Sequence, residues 1–345
     1  MGSPPISVLA AGTWGITLGA LLAEKGHDVA AWDPAPGLIR EMARARRHPR
    51  LPHLAFPASL RVVEELGDAT RGCEVAVVVA PSHAVRSLCR RLREERLLPQ
   101  GAAVVLCTKG IEEDSLALMT QVVEQELGAE TVRRTAVLSG PSHAEEVSQG
   151  IPTAVVAAAA DPDLARRVQG LFMTSRFRVY TQSDVLGVEL AAALKNVIAI
   201  AAGASLGLGC GDNTVAALIT RGLAEIARLG KRLGADPETF AGLAGIGDLV
   251  VTAMSEHSRN RRFGRLLAKG LSREEAEREV GMVVEGVRTS RAALALGRRE
   301  GVEVPITEAV VACVDGQLSP GEALGLLMAR EPKPEIYVRA DKSGG

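Results

Sequence analysis

A chain of 345 residues is longer than one ordinary core organises, so two domains are expected. Hydrophobic residues make up 47% and charged residues 23%, the proportions of a globular protein. Forty Lys and Arg against 41 Asp and Glu leave a net charge of −1, which argues against nucleic acid or an anionic membrane as general partners, and 3% aromatics are too few for base-stacking platforms.

Met1-Gly2-Ser3-Pro4-Pro5 lacks the charged and apolar regions of a secretory signal, so a cytoplasmic protein is expected. Ile6 to Leu9 then reads as a strand and Ile16 to Lys25 as an amphipathic helix. Between them lies Ala10-Ala11-Gly12-Thr13-Trp14-Gly15, which approximates the GxGxxG dinucleotide fingerprint with Ala10 in place of the first glycine. Gly12 allows backbone to approach a pyrophosphate, and Gly15 allows close helix–strand packing. The helix N-terminus supplies unpaired N–H groups for phosphate. The competing reading is a plain strand–helix turn. A methyl at position 10 fits such a turn if its φ is negative.

Asp28 to Trp32 is the next strand. Asp33 at its end suits the adenosine ribose hydroxyls and would repel a 2′-phosphate, favouring NAD over NADP. A turn aspartate before Pro34 is the equal alternative. Val75 to Val79, Val104 to Cys107 and Ala136 to Leu138 follow with helical material between them. Their unbroken apolar runs suit a parallel sheet covered on both faces. Thr153 to Ala158 and Arg178 to Tyr180 extend it. Cys107-Thr108-Lys109-Gly110 and Ser139-Gly140-Pro141-Ser142 end two of these strands, where an open α/β sheet places its ligand crevice. His83 and His143 also lie just past strand ends. No metal-ligand spacing accompanies them, so no metal is expected. The five scattered cysteines read as reduced thiols.

From about Asp184 the texture becomes helical. The apolar stretch Val185 to Gly209 carries Glu189, Lys195 and Asn196, which a lipid-spanning helix would not tolerate cheaply, so it reads as a buried helix with no membrane insertion. Lys195 inside that stretch is either functional or a structural lysine that pairs or snorkels. Asp248, after Gly245-Ile246-Gly247, is a catalytic partner or a helix N-cap. Ser258-Arg259-Asn260 offers N–H donors for a phosphate or forms a solvated basic helix face. The expected division is a dinucleotide-binding domain over 1–185, a helical substrate and catalytic domain over 186–335, and a tail over 336–345, with Asp341 to Gly345 frayed.

Seven segments in order resemble the bacterial-type NAD(P)-dependent glycerol-3-phosphate dehydrogenase family. They are Ala10 to Gly15, Thr108 to Gly110, Ser139 to Ser142, Leu194 to Ala199, Gly245 to Leu249, Ser258 to Gly264, and Val283 to Gly286. The resemblance implies an α/β fold, with an N-terminal Rossmann-type, mostly parallel sheet followed by an all-helical C-terminal domain, and a homodimer. It implies NAD(H) or NADP(H) as cofactor and glycerol 3-phosphate or dihydroxyacetone phosphate as substrate. Lys195 becomes the acid/base, with Lys109, Asp248 and Asn196 beside it. Lys109, Gly140, Ser142, Thr252, Asp248, Ser258, Arg259 and Asn260 would contact substrate. Thr13, Trp14, Lys109, Ala144, Arg259, Val283 and Glu285 would contact nucleotide, joining Gly12, Gly15 and Asp33 from the reading above, although Asp33 stands where the family often carries a basic residue. The rivals are another two-domain dehydrogenase acting on a hydroxy or sugar acid, and a catalytically silent nucleotide-binding regulator.

Overall fold

The computed structural model describes residues 5–332, 334 and 335, so the expected tail over 336–345, Asp341 to Gly345 included, lies outside the described residues. The strands in chain order are β1 (Ile6–Leu9), β2 (Val29–Trp32), β3 (Arg47–His48), β4 (Leu51–Ala55), β5 (Leu60–Val62), β6 (Val75–Val78), β7 (Ala103–Leu106), β8 (Thr135–Ser139), β9 (Thr153–Ala158) and β10 (Phe177–Gln182). Eight of them form one sheet in the order β10-β9-β8-β7-β6-β1-β2-β5, while β3 and β4 make a separate hairpin.

Every pairing in the large sheet is parallel except β8 with β9, so β9 and β10 run against the rest. The sheet is buried on both faces, which is why its strands are continuous apolar runs. One layer packs around Val8, Ile16, Val77, Val105 and Phe172. The other packs around Leu9, Val78, Val85, Leu106 and Val122. Ser7, fully buried in β1, satisfies its hydroxyl by donating to the Ala69 carbonyl at 2.5 Å. The strand order reverses direction at β1, and the carboxyl ends of β1, β6 and β7 open on the crevice there.

The expected strands are present with ends moved by a residue or two. The edge strand β5 and the β3–β4 hairpin are additions. Arg47 to Ala55 holds two prolines, Pro49 and Pro52, and shows no period-2 pattern, so nothing marked it as strand.

After Gln182 the described residues carry helices only. Asp184 starts the Val185–Gly207 helix by accepting the Gly187 N–H at 2.9 Å. This helix is long and apolar enough to cross a membrane, yet 83% of its most apolar window is buried inside the protein. Helices Asp212–Leu233, Asp248–Met254, Arg259–Ala268 and Glu285–Glu300 wrap it. The crossing with Arg259–Ala268 is close: a Cβ on Gly264 would stand 2.0 Å from the Ile200 carbonyl oxygen.

Candidate active site

The glycine-rich turn forms as the sequence suggests, with one correction. Leu9 ends β1, and the N–H groups of Ala10 and Ala11 both donate to the Trp32 carbonyl at 2.9 Å. To make that pair of hydrogen bonds the chain passes through φ +74° at Ala10, so the condition of a negative φ, under which a methyl would fit the turn, is not met. A left-handed alanine costs about 1–2 kcal/mol, the strain that glycine in the fingerprint avoids. Gly12 is the N-cap of the Thr13–Glu24 helix, and no side chain caps the helix. Its N–H groups are therefore available to an anion. A Cβ on Gly12 would meet nothing within 4 Å, whereas one on Gly15 would stand 2.4 Å from the Ala10 carbonyl. The turn is thus open toward the crevice and tight toward the sheet, and it fits a dinucleotide.

This turn forms one wall of a cleft of about 470 Å³ lined by Gly12, Thr13, Trp14, Gly15 and Asp33. Asp33 also accepts the Ala35 N–H at 3.0 Å, so its turn role and its cleft position coexist. Burial raises its carboxyl above the ordinary range, against the backbone N–H groups of Ala35 and Ala11.

On the cleft floor three charged side chains from distant segments meet. Lys109, just past β7, donates to Asp248 Oδ2 at 2.7 Å and to the Gly140 carbonyl at 3.0 Å. Lys195 donates to Asp248 Oδ1 at 2.5 Å and to Thr252 Oγ1 at 2.7 Å. The Thr252 hydroxyl in turn donates to the Asp248 carbonyl at 2.6 Å, which orients its lone pair toward the lysine. Lys195 is 5% exposed and Asp248 1%. Lys195 is therefore no snorkelling lysine, although its bond to Asp248 keeps structural pairing as part of its role. The N-cap reading of Asp248 fails, because Gly247 holds that position and the Asp248 carboxylate goes to the two ammonium groups.

Burial lowers the Lys195 pKa most, Asp248 raises it, and Lys109 lowers it further, bringing it to about 7. Asp248 is pushed up by burial but pulled further down by Lys109 and Lys195, ending below the usual carboxylate range. An amine poised near neutrality can give and take a proton at working pH.

The remaining expected residues surround this cluster. Ser142, Ala144, Asn196, Thr252, Ser258, Arg259, Asn260, Val283 and Glu285 line the cleft. Gly140 does not line it and acts through its carbonyl, which also accepts from the Ser142 hydroxyl at 2.9 Å. Asn260 donates to Asn196 Oδ1 at 2.9 Å and accepts from the Gly286 N–H at 2.9 Å, so much of its amide is already engaged. Ser258 caps the Arg259–Ala268 helix by accepting the Arg261 N–H. That helix divides its arginines: Arg259 lines the cleft, while Arg262 pairs outward with Glu279. Glu285 accepts from the Ser82 N–H at 3.0 Å and the Ser82 hydroxyl at 2.5 Å, binding the start of the Ser82–Glu94 helix to the helical half. His143 lines the cleft and His83 is not among the lining residues. Arg50, Pro81, Glu145, His257 and Met282 also line it and were missed. They belong to no motif; Arg50 sits on the unforeseen hairpin.

A glycine-rich strand–turn–helix facing a buried lysine–aspartate–lysine cluster defines a nicotinamide-nucleotide-dependent oxidoreductase with a Rossmann-type sheet. The family profile "NAD-dependent glycerol-3-phosphate dehydrogenase N-terminus" matches residues 5–165, and the profile "NAD-dependent glycerol-3-phosphate dehydrogenase C-terminus" matches residues 184–325. The chain is 48% identical over 331 residues to the glycerol-3-phosphate dehydrogenase (NAD(P)+) of Anaeromyxobacter dehalogenans, covering 96% of this chain and 99% of the relative. It is 49% identical over 336 residues to the enzyme of that name from Pelotomaculum thermopropionicum, covering 97% and 95%. The crystal structure of glycerol-3-phosphate dehydrogenase from Coxiella burnetii superposes with a TM-score of 0.90 at 37% identity, covering 95% of this chain and 99% of that one. The chain belongs to the NAD-dependent glycerol-3-phosphate dehydrogenase family.

Proposed function

We propose that the protein catalyses the reversible NAD(P)H-dependent reduction of dihydroxyacetone phosphate to sn-glycerol 3-phosphate, supplying the glycerophospholipid precursor. The observation that carries this reading is the buried Lys109–Asp248–Lys195 cluster on the floor of the cleft that the glycine-rich turn walls. A bound reduced nicotinamide supplies the hydride. Lys195 gives a proton to the oxygen on C2 as the ketone is reduced, and takes it back in the reverse direction. Lys109 adds positive charge that favours the developing alkoxide, and Asp248 keeps both ammonium groups in place. Thr252 and Asn196 orient the two lysine segments.

Arg259, Asn260 and Ser258 anchor the triose phosphate, with Gly140 and Ser142 beside Lys109, so that remote binding energy fixes the reacting carbon. Gly12, Thr13, Trp14 and Gly15 take the nucleotide phosphates. Asp33 takes the adenosine ribose, with Ala144, Val283 and Glu285 completing the nucleotide contacts. Residues 1–185 thus hold most of the nucleotide, and residues 186–335 supply the acid/base and the remaining nucleotide contacts. We infer a cytoplasmic homodimer that binds no nucleic acid.

The test is oxidation of NADH, and of NADPH in parallel, with dihydroxyacetone phosphate. Turnover with this substrate is expected, with NADH preferred because of the Asp33 carboxylate. Turnover only with 2-oxo acids would favour the hydroxy-acid reading, and nucleotide binding without turnover would favour a silent regulator.

A further inference from the structure

Two arginines reach the same short segment from distant parts of the chain. Arg50, at the tip of the β3–β4 hairpin, donates from Nη2 to the Gly281 carbonyl at 3.0 Å. Arg259, first in its helix, donates from Nη1 to the Val283 carbonyl at 3.1 Å. Both side chains are exposed, both line the cleft, and they are close enough for their charges to act on one another. Backbone carbonyls hold them, and neither donates a hydrogen bond to a carboxylate among the described residues, although the charges of Glu285 and Glu145 act on Arg259. A guanidinium carries five N–H donors in a rigid fork, so most of them remain for a ligand. Two cations brought together with N–H donors to spare suit an anion between them.

Arg50 is held from below as well. His48 is buried, and its Nδ1 accepts the Arg50 backbone N–H at 3.0 Å. Burial, aided by the Arg50 charge, lowers the His48 pKa and keeps the ring neutral, as an accepting Nδ1 requires.

We propose that Arg50 is a nucleotide-binding residue that, together with Arg259, grips the dinucleotide pyrophosphate from the side opposite the glycine-rich turn. This rests on the nucleotide-dependent reading given above. The pyrophosphate is favoured over the other phosphates by position. The hairpin is tied through His53 Nε2 and Ser148 Oγ, at 2.9 Å, to the end of the Ala144–Val147 helix. That helix packs on the Thr13–Glu24 helix, whose N-terminus faces the cleft. A 2′-phosphate would lie by Asp33, which repels it. The reacting end of the triose lies at the buried lysines and its phosphate is held with Ser258 and Asn260, so Arg259 serves both phosphates while Arg50 serves the pyrophosphate.

The experiment is fluorescence titration of NADH and NADPH into the wild type and the variants Arg50→Ala and Arg50→Gln. Glutamine can keep a donor toward Gly281 while removing the charge. Melting temperatures check that both variants fold. About tenfold weaker binding of both nucleotides is expected in both variants, with less salt dependence. The KM for dihydroxyacetone phosphate at saturating nucleotide stays within about twofold. Unchanged nucleotide affinity overturns the proposal. So does a loss confined to NADPH, which would mark the 2′-phosphate, or one confined to the triose phosphate. A wild type that binds neither nucleotide would instead defeat the functional reading itself.

Discussion

At position 195, burial and charge oppose each other. Loss of water lowers the amine's proton affinity, Asp248 restores part of it, and Lys109 removes some again, leaving a pKa of about 7. Ketone reduction needs the protonated ammonium, which is populated below that value. The reduction rate therefore falls as pH rises through about 7, and glycerol 3-phosphate oxidation rises over the same range. Asp248→Asn deletes the one charge that raises the Lys195 pKa. The descending limb of kcat/KM against pH for dihydroxyacetone phosphate should then move to lower pH by about one unit or more. A limb that stays in place would show that Asp248 does not act on the Lys195 proton. The chemistry of this cluster was legible because a lysine in an unbroken apolar run demands a partner. The strain at Ala10 was not: it arises because two amides share the Trp32 carbonyl, a contact between segments that no local pattern encodes.

Among the elements, the Val185–Gly207 helix does most to organise the site. It carries Lys195 and Asn196 on one turn and lets the Arg259–Ala268 helix approach closely enough to bring Asn260 onto Asn196. That approach depends on Gly264. Gly264→Ala would drive a methyl group into the Ile200 carbonyl and is expected to destabilise by about 1–3 kcal/mol. Urea unfolding reads this as a lower midpoint at unchanged slope, and an unshifted midpoint would mean the helices separate without cost. The central strands were readable because β1, β6, β7 and β8 are buried on both faces and consist of near-continuous apolar runs. β5 and the β3–β4 hairpin were not, since a three-residue edge strand and a proline-bearing hairpin lack periodicity. The reversal at β9 escaped notice for another reason: strand direction leaves no mark on a strand's own sequence.

Across the whole molecule, the near-neutral net charge is repeated in the cleft, where Lys109, Lys195, Arg50 and Arg259 face Asp33, Glu145, Asp248 and Glu285, and Asp248 bonds both lysines. Two buried or half-buried glutamates join the halves around it. Glu285 binds the Ser82 N–H and hydroxyl, and Glu189 binds those of Thr120 at 2.9 and 2.5 Å. The seven ordered motifs revealed most of the cleft lining, because each contributes a short local arrangement. The residues that close it from the hairpin and the Met282 turn reach it only through tertiary folding. The central claim is that the buried Lys195 amine moves the proton at C2. Steady-state turnover of Lys195→Met with dihydroxyacetone phosphate, measured beside its NADH dissociation constant, tests this most directly. The account predicts turnover reduced about 10²–10⁴-fold with NADH affinity within about twofold of the wild type. Near-normal turnover in that variant would contradict it.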